Sequence, residues 1–247
     1  MKTIHLIQID STNLYLEKHF QDLPKICSVR ADIQTAGRGR LTRQWNSAKG
    51  GLWFSVLFKK PALSPFRLQK VCSLATLEAL NIELEMIKKS QMKSGKFLLK
   101  WPNDIYYSSK KISGCLQKNI FTSIGSICII GIGVNINNPL PEDLNKKAIT
   151  LKAILRKEID VEALYQNILE NIEERLSNFS QELLEADYRK YQLIKEGVYI
   201  KVLDLVNNNH YTGRVMGYPD ETLEIKTEKG LQLSFKAADV TLKSWED

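Results

Sequence analysis

The chain has 247 residues, 43% hydrophobic and 26% charged, which is ordinary for a soluble globular protein and sufficient for one large domain or a mid-sized one with a small companion. Lys and Arg total 35 against 28 Asp and Glu, and the net charge of +7 permits an anionic ligand without by itself arguing for nucleic acid. Cys27, Cys72, Cys115 and Cys128 stand far apart and His5, His19 and His210 are scattered, which excludes zinc-ligand spacing and fits buried, reduced thiols in a cytoplasmic protein.

Residues 1–10 alternate apolar and polar positions and lack the continuous apolar core of a signal peptide. The longest nearly apolar run, 124–136, is too short to cross a bilayer. Ile4, Leu6 and Ile9 predict a short strand ending at Asp10. Ser11, Thr12 and Asn13 then precede a helix marked by Leu14, Leu16 and Phe20; the three can cap that helix or present hydroxyl and amide groups to a ligand. Residues 26–33 predict a second strand. The stretch 34–45 follows, Gln-Thr-Ala-Gly-Arg-Gly-Arg-Leu-Thr-Arg-Gln-Trp, with two glycines and three arginines. Glycine lets backbone approach a ligand closely, arginine carries a donor fork suited to carboxylate and phosphate oxygens, and Trp45 adds a flat face. Such a loop is built to close over an anion.

Gly50-Gly51 introduces a buried strand at 52–58, and Pro61 to Pro65 breaks the chain. Leu68, Val71, Leu74, Ala75, Leu77, Leu80 and Ile82 have helical spacing. Residues 97–101 form another short run before Pro102-Asn103-Asp104. Segments 105–107 and 111–116 around a polar tip at 108–110 predict a hairpin, and 120–121 with 126–136 predict a further strand pair. Beyond Pro139 and Pro141 the chain turns helical. Asp160 caps an amphipathic helix carrying Val161, Leu164, Tyr165, Ile168, Leu169, Ile172, Leu176 and Phe179, and 182–191 is a further helical piece. Near Lys195 the texture changes to short strands at 198–202, 211–216, 222–227, 231–235 and 240–242, the pattern of a small barrel or sandwich. The expected architecture is an α+β body, residues 1–194, with an all-β tail, residues 195–247.

No Walker A loop occurs. Gly131-Ile132-Gly133 lacks the third glycine of a dinucleotide fingerprint, and no histidine is placed for a Ser/His/Asp set. Trp101 to Asp104 alone reads equally well as a strand end and turn.

In chain order, Ser11-Thr12-Asn13, Gln34-x-x-Gly37-Arg38-Gly39-Arg40, Lys100-Trp101-Pro102-Asn103-Asp104, Lys111-Ile112-Ser113-Gly114 and Gly131-x-Gly133-x-Asn135 together resemble the motif set of the biotin–protein ligases. The match runs over residues 9–137, and the tail is similar more loosely to that family's small SH3-like β domain. The resemblance implies a central mixed β-sheet with flanking helices (the class II aminoacyl-tRNA synthetase-like, biotin–lipoate ligase fold) plus a C-terminal SH3-like β-barrel. It implies ATP, biotin and Mg²⁺ as cofactors. Biotin is activated to biotinyl-5'-AMP with release of pyrophosphate, then transferred to a lysine of a biotin carboxyl carrier protein domain of a biotin-dependent carboxylase.

By motif position, the resemblance places Ser11, Thr12, Asn13 and Gln34 on the ureido ring of biotin, and Gly37, Arg38, Gly39, Arg40 and Arg43 on a lid at the carboxylate and phosphate. Lys111 reaches the carboxyl and phosphate oxygens, Trp45 lines the pocket, and Asn103 and Asn135 lie near nucleotide and metal, with no protein metal ligand assigned. Asp104 orients the acceptor lysine or supports the loop, and Gly114 and Gly131 allow close approach of backbone to ligand. Thr42 stands where the family loop usually has glycine, which restricts φ/ψ there. The Ser-Thr-Asn motif begins at residue 11, leaving no room for the DNA-binding domain of the dual-function members, so a ligase that does not repress transcription is expected. The family includes monomers and dimers. Two other readings stay open: a lipoate or octanoyl ligase of the same fold, and a nucleic-acid-binding module built on the basic loop.

Overall fold

The structure is a computed structural model that describes residues 1–40, 43–88, 95–123, 125–237 and 240–246. Thr42, and with it the departure in the loop, lies outside the described residues. The chain forms two compact units, one of Met1–Leu98 with Asn103–Ser180 and one of Leu99–Pro102 with Gln181–Asp247.

The larger sheet has seven strands in the order β1-β2-β3-β7-β6-β5-β4, and all but the end of β4 lies in the first unit. Its strands are β1 (Lys2–Ile9), β2 (Ile26–Gln34), β3 (Leu52–Lys59), β4 (Phe97–Lys100), β5 (Asp104–Tyr107), β6 (Lys110–Thr122) and β7 (Gly125–Val134). β1 runs parallel to β2, while β2–β3, β3–β7, β7–β6 and β6–β5 are antiparallel, so the sheet is mixed. A parallel pair needs a long return, and α1 (Thr12–His19) supplies it. Helices α2 (Pro65–Lys88), α3 (Leu151–Leu155) and α4 (Val161–Ser177) complete the layers. This α+β arrangement, a central mixed sheet with flanking helices, is the one the sequence led us to expect.

β3 carries the core. Leu52 to Phe58 are all buried because both faces of the strand are covered. On one face Leu57 packs with Leu16 of α1, Cys27, Val29, Ile127 and Ile129. On the other, the Phe54 ring meets Tyr165 of α4 edge-on, with centroids 5.2 Å apart. Asp160 caps α4 as expected, accepting from Glu162 N at 2.9 Å and Ala163 N at 3.1 Å.

The hairpin expected at 105–116 forms, but β6 runs on without a break to Thr122. Polar residues 117–119 interrupt the apolar pattern there without interrupting the ladder, which continues as Gln117↔Ile130, Lys118↔Ile129 and Asn119↔Cys128. Helix α2 likewise continues past Ile82 to Lys88.

The second unit holds α5 (Gln181–Lys190) and a five-stranded sheet in the order β11-β10-β9-β8-β12. Its strands are β8 (Tyr199–Asp204), β9 (His210–Gly217), β10 (Thr222–Lys226), β11 (Gln232–Lys236) and β12 (Val240–Glu246), every pair antiparallel. Residues Leu99–Pro102 join it: Leu99 N–H donates to Tyr191 O at 2.8 Å and Leu193 N–H to Leu99 O at 2.6 Å. The Tyr188 hydroxyl donates to Pro102 O at 3.0 Å. All four cysteines are free and buried. Among the described residues, no helix is long and apolar enough to cross a membrane.

Candidate functional site

The site starts where β1 passes into α1. Ser11 occupies the N-cap with an extended backbone (φ −160°, ψ 134°), yet its side chain makes no capping bond. All three residues of the motif are buried, Ser11 at 3%, Thr12 at 2% and Asn13 at 9% exposure. Buried polar groups must be paired, and those of Thr12 and Asn13 are. Gln34 Oε1, at the end of β2, accepts from Thr12 N at 2.9 Å and lies 3.0 Å from Thr12 Oγ1. Thr12 Oγ1 is 2.6 Å from Ser55 Oγ, and Ser55 Oγ donates to Asn13 Oδ1 at 2.5 Å. Asn13 Nδ2 donates to Leu116 O of β6 at 3.4 Å. Gln34 Nε2 donates to Ser47 Oγ at 2.9 Å, and that hydroxyl donates to Trp45 O at 3.2 Å.

The loop between β2 and β3 is a small hairpin. Arg38 bridges Gln44, Gly39 N–H donates to Arg43 O at 2.7 Å, and Trp45 N–H donates to Gly37 O at 2.9 Å. Arg38 and Arg43 are exposed, whereas Arg40 is partly buried. Burial lowers the Arg40 pKa from its ordinary value, the nearby Asp104 carboxylate acts to raise it, and Arg43 lowers it further.

Lys111 lies in the cationic half of the site. Its ammonium is 2.7 Å from Asp104 Oδ1 and 4.8 Å from the centroid of the Trp45 ring. Its backbone is clamped, since Lys111 N–H donates to Lys147 O at 2.9 Å and Ile149 N–H to Lys111 O at 3.0 Å. The sheet register sets Gly114 opposite both Asp104 and Gly133. Burial and the Asp104 charge push the Tyr106 phenol up to about 12, so it stays neutral.

Two glycines of β7 make room for these side chains. A Cβ on Gly131 would stand 2.3 Å from Asn13 Oδ1, and one on Gly133 would stand 2.6 Å from Trp45 Nε1. Both are closer than atoms can pack, so side chains there would unseat Asn13 and Trp45. The room at Gly131 goes to Asn13 itself, a more local role than approach of backbone to ligand. The buried Trp45 Nε1 has no acceptor among the described residues, an orphan donor facing the site.

Asn103 turns its amide onto β6, its Nδ2 donating to Cys115 O while Cys115 N–H donates to Asn103 O at 2.8 Å. Asn135 is 5% exposed, and its Oδ1 accepts from Asn138 Nδ2 at 3.3 Å. The structure therefore brings Thr12, Asn13 and Gln34 into one polar nest and Arg40, Trp45, Asp104 and Lys111 into one cationic group, joined through Ser47 and Trp45. Sequence reading missed Ser47, Ser55 and Asn138. Ser55 had one signal, as the single polar residue in the apolar run 52–58.

A paired polar nest beside a lysine–arginine group is an arrangement suited to a small molecule with a hydrogen-bonding head and an anionic end. The chain belongs to the biotin/lipoate A/B protein ligase family, whose family model matches residues 5–135. It is similar to a biotin protein ligase from Aquifex aeolicus solved with biotin and ATP, with 30% identity, TM-score 0.80 and 98% of each chain covered. It also resembles the biotin protein ligase of Leishmania major in complex with biotinyl-5-AMP (25% identity, TM-score 0.63, 96% and 99% covered). Over 226 residues it is 29% identical to the bifunctional ligase/repressor BirA of Bacillus subtilis, covering 89% of this chain and 67% of that one.

Proposed function

We propose that the chain is an ATP-dependent biotin–protein ligase that forms biotinyl-5'-AMP and transfers biotin to a lysine of a biotin carboxyl carrier protein domain. The observation that carries this reading is the placement of the Lys111–Asp104 pair, 2.7 Å apart and 4.8 Å under the Trp45 ring, beside the nest of Thr12, Asn13 and Gln34. The nest takes the ureido ring, whose N–H and C=O groups must all be paired when buried. Ser11, next to Thr12 and buried, adds a hydroxyl that is not used for capping. The carboxylate of biotin then reaches the cationic group.

In the first step a carboxylate oxygen attacks the α-phosphorus of ATP, and the bond to pyrophosphate breaks. Negative charge on the phosphoryl oxygens is met by Lys111 and Arg40, with Arg38 and Arg43 closing over it on the hairpin loop. Closure also keeps water from the acyl phosphate. In the second step the acceptor amine attacks the acyl carbon, AMP leaves, and the amine loses a proton. Asp104, 2.7 Å from the Lys111 ammonium, holds Lys111 in place while the amine enters. Gly37, Gly39 and Gly114 keep backbone close to the ligand, and Asn103 and Asn135 border the nucleotide. Among the described residues no three His, Cys, Asp or Glu gather to hold a metal. Mg²⁺ would be held largely by the phosphates of the nucleotide and water. Residues 1–194 form the catalytic domain in this reading, and 195–247 an SH3-like accessory domain.

One incubation with ATP and a biotin carboxyl carrier domain tests the reading, with biotin and lipoate supplied in parallel. Transfer of biotin is expected; transfer of lipoate alone overturns it.

A further inference from the structure

Ser55 is fully buried at the centre of the sheet, the one polar side chain in an otherwise apolar run from Leu52 to Phe58. The register sets it opposite Gly131, whose missing Cβ leaves the space that the Asn13 amide fills. The hydroxyl thus faces the ligand nest without lining it.

Four oxygens stand in a row: Gln34 Oε1, Thr12 Oγ1, Ser55 Oγ and Asn13 Oδ1, with separations of 3.0, 2.6 and 2.5 Å. The two amides are oriented from behind. Gln34 Nε2 donates to Ser47 Oγ at 2.9 Å and Asn13 Nδ2 to Leu116 O at 3.4 Å, so both amide oxygens face the hydroxyls. The row has three short contacts and only two hydroxyl protons, because each hydroxyl donates once. One contact must go without a proton. Gln34 Oε1 already accepts from Thr12 N at 2.9 Å, whereas Asn13 Oδ1 depends on Ser55. Leaving a buried amide oxygen unpaired is the costlier choice. Two hydroxyl oxygens 2.6 Å apart with no proton between them repel, so the contact that goes without is the longest, Thr12 to Gln34 at 3.0 Å, and protons run from Thr12 to Ser55 and from Ser55 to Asn13.

We infer that Ser55 is a positioning residue that sets the hydrogen-bond direction of the nest. By taking the Thr12 proton it leaves lone pairs of Thr12 Oγ1 and Gln34 Oε1 turned to the ligand as acceptors. The nest then selects a head group that presents N–H donors, a cyclic urea, over one of the same shape that lacks an N–H. This rests on the ligase reading of the same site. Without Ser55, the Thr12 hydroxyl swings to Gln34 Oε1 and occupies one of the two acceptors.

The test compares wild type and Ser55→Ala on two ligands, biotin and an analogue with one ureido N–H replaced by CH₂, each read as ATP-dependent pyrophosphate release. Ser55→Ala is expected to raise KM for biotin about tenfold with little change in kcat, and to leave KM for the analogue nearly unchanged, since one hydrogen bond is at stake. The preference for biotin over the analogue thus falls about tenfold. An equal loss on both ligands, or none on either, overturns the direction-setting role. Should Ser55→Ala fail to fold, Ser55→Cys, a weak donor and acceptor of similar size, is read by the same ratio. Failure of the wild-type protein to turn over biotin at all would instead sink the ligase reading, whatever the variants do.

Discussion

Lys111 gathers most of the consequences at the level of single residues. An ammonium has three donors, and an ion pair with Asp104 at 2.7 Å cannot occupy all of them. The rest remain for anionic oxygens, while the Trp45 face at 4.8 Å restrains the side chain. A preorganised cation of this kind is worth on the order of 10²–10³ in rate, as for a single oxyanion donor. Lys111→Ala is therefore expected to slow adenylate formation by about that factor, measured as single-turnover pyrophosphate release; a normal rate would remove Lys111 from the chemical step. Gly131 makes the complementary case. Its substitution by Ala puts a methyl 2.3 Å from Asn13 Oδ1, a contact that only displacement of Asn13 relieves. Overpacking of this kind costs about 1–3 kcal/mol. Biotin affinity should drop roughly tenfold or more while ATP affinity holds, and calorimetric titration of each ligand separates the two.

Among the elements, the hairpin loop between β2 and β3 is where local sequence and chemistry meet. Its own bonds, Gly39 N–H to Arg43 O and Trp45 N–H to Gly37 O, shape it before any ligand arrives. Arg40, the partly buried arginine in it, faces the Asp104 charge. Arg40→Ala should release biotinyl-5'-AMP faster, seen as loss of intermediate through a spin column; unchanged retention would contradict a lid. The loop was legible in sequence because Gly and Arg are unusual between two buried strands. The nest was only half legible. Ser11, Thr12 and Asn13 are the residue types that both cap helices and bind ligands, and only the fold shows that Ser11 makes no side-chain cap and that all three are buried. Ser47, Ser55 and Asn138 were missed for a different reason: their partners come from other segments, as with Ser55 and Thr12, 43 residues apart. The helix signals were read most directly. Asp160 caps α4 with its side chain, and Asp160→Ala should destabilise the fold by about 1 kcal/mol in urea titrations.

For the molecule as a whole, composition marks the change of texture near Lys195, but the second compact unit begins at Gln181 and takes in Leu99–Pro102. The ladder from Leu99 to Tyr191 and Leu193 explains this, since pairing across more than 90 residues leaves no trace in local pattern. A property spread over both helix and sheet is the burial of all four thiols. Loss of solvent pushes Cys115 and Cys128 up to about 12, Cys72 far above its ordinary value and Cys27 upward, against an unfolded thiol near 9. The folded state thus keeps protons that the unfolded chain gives up. Below pH 9 both states are protonated and the thiols do not bias the equilibrium against folding; as pH rises from about 9 toward 12, the unfolded state gains by ionising. Each thiol that ionises only when unfolded removes up to about 1.4 kcal/mol per pH unit across that window. Urea midpoints should hold steady from pH 7 to about 8.5 and then fall progressively through pH 10. Alkylation at pH 8.5 should label all four thiols together, at the rate of unfolding, because none ionises appreciably while buried. A midpoint that stays flat through pH 10, or one cysteine that reacts ahead of the rest in the folded protein, would show that the core does not hold its thiols as the packing requires.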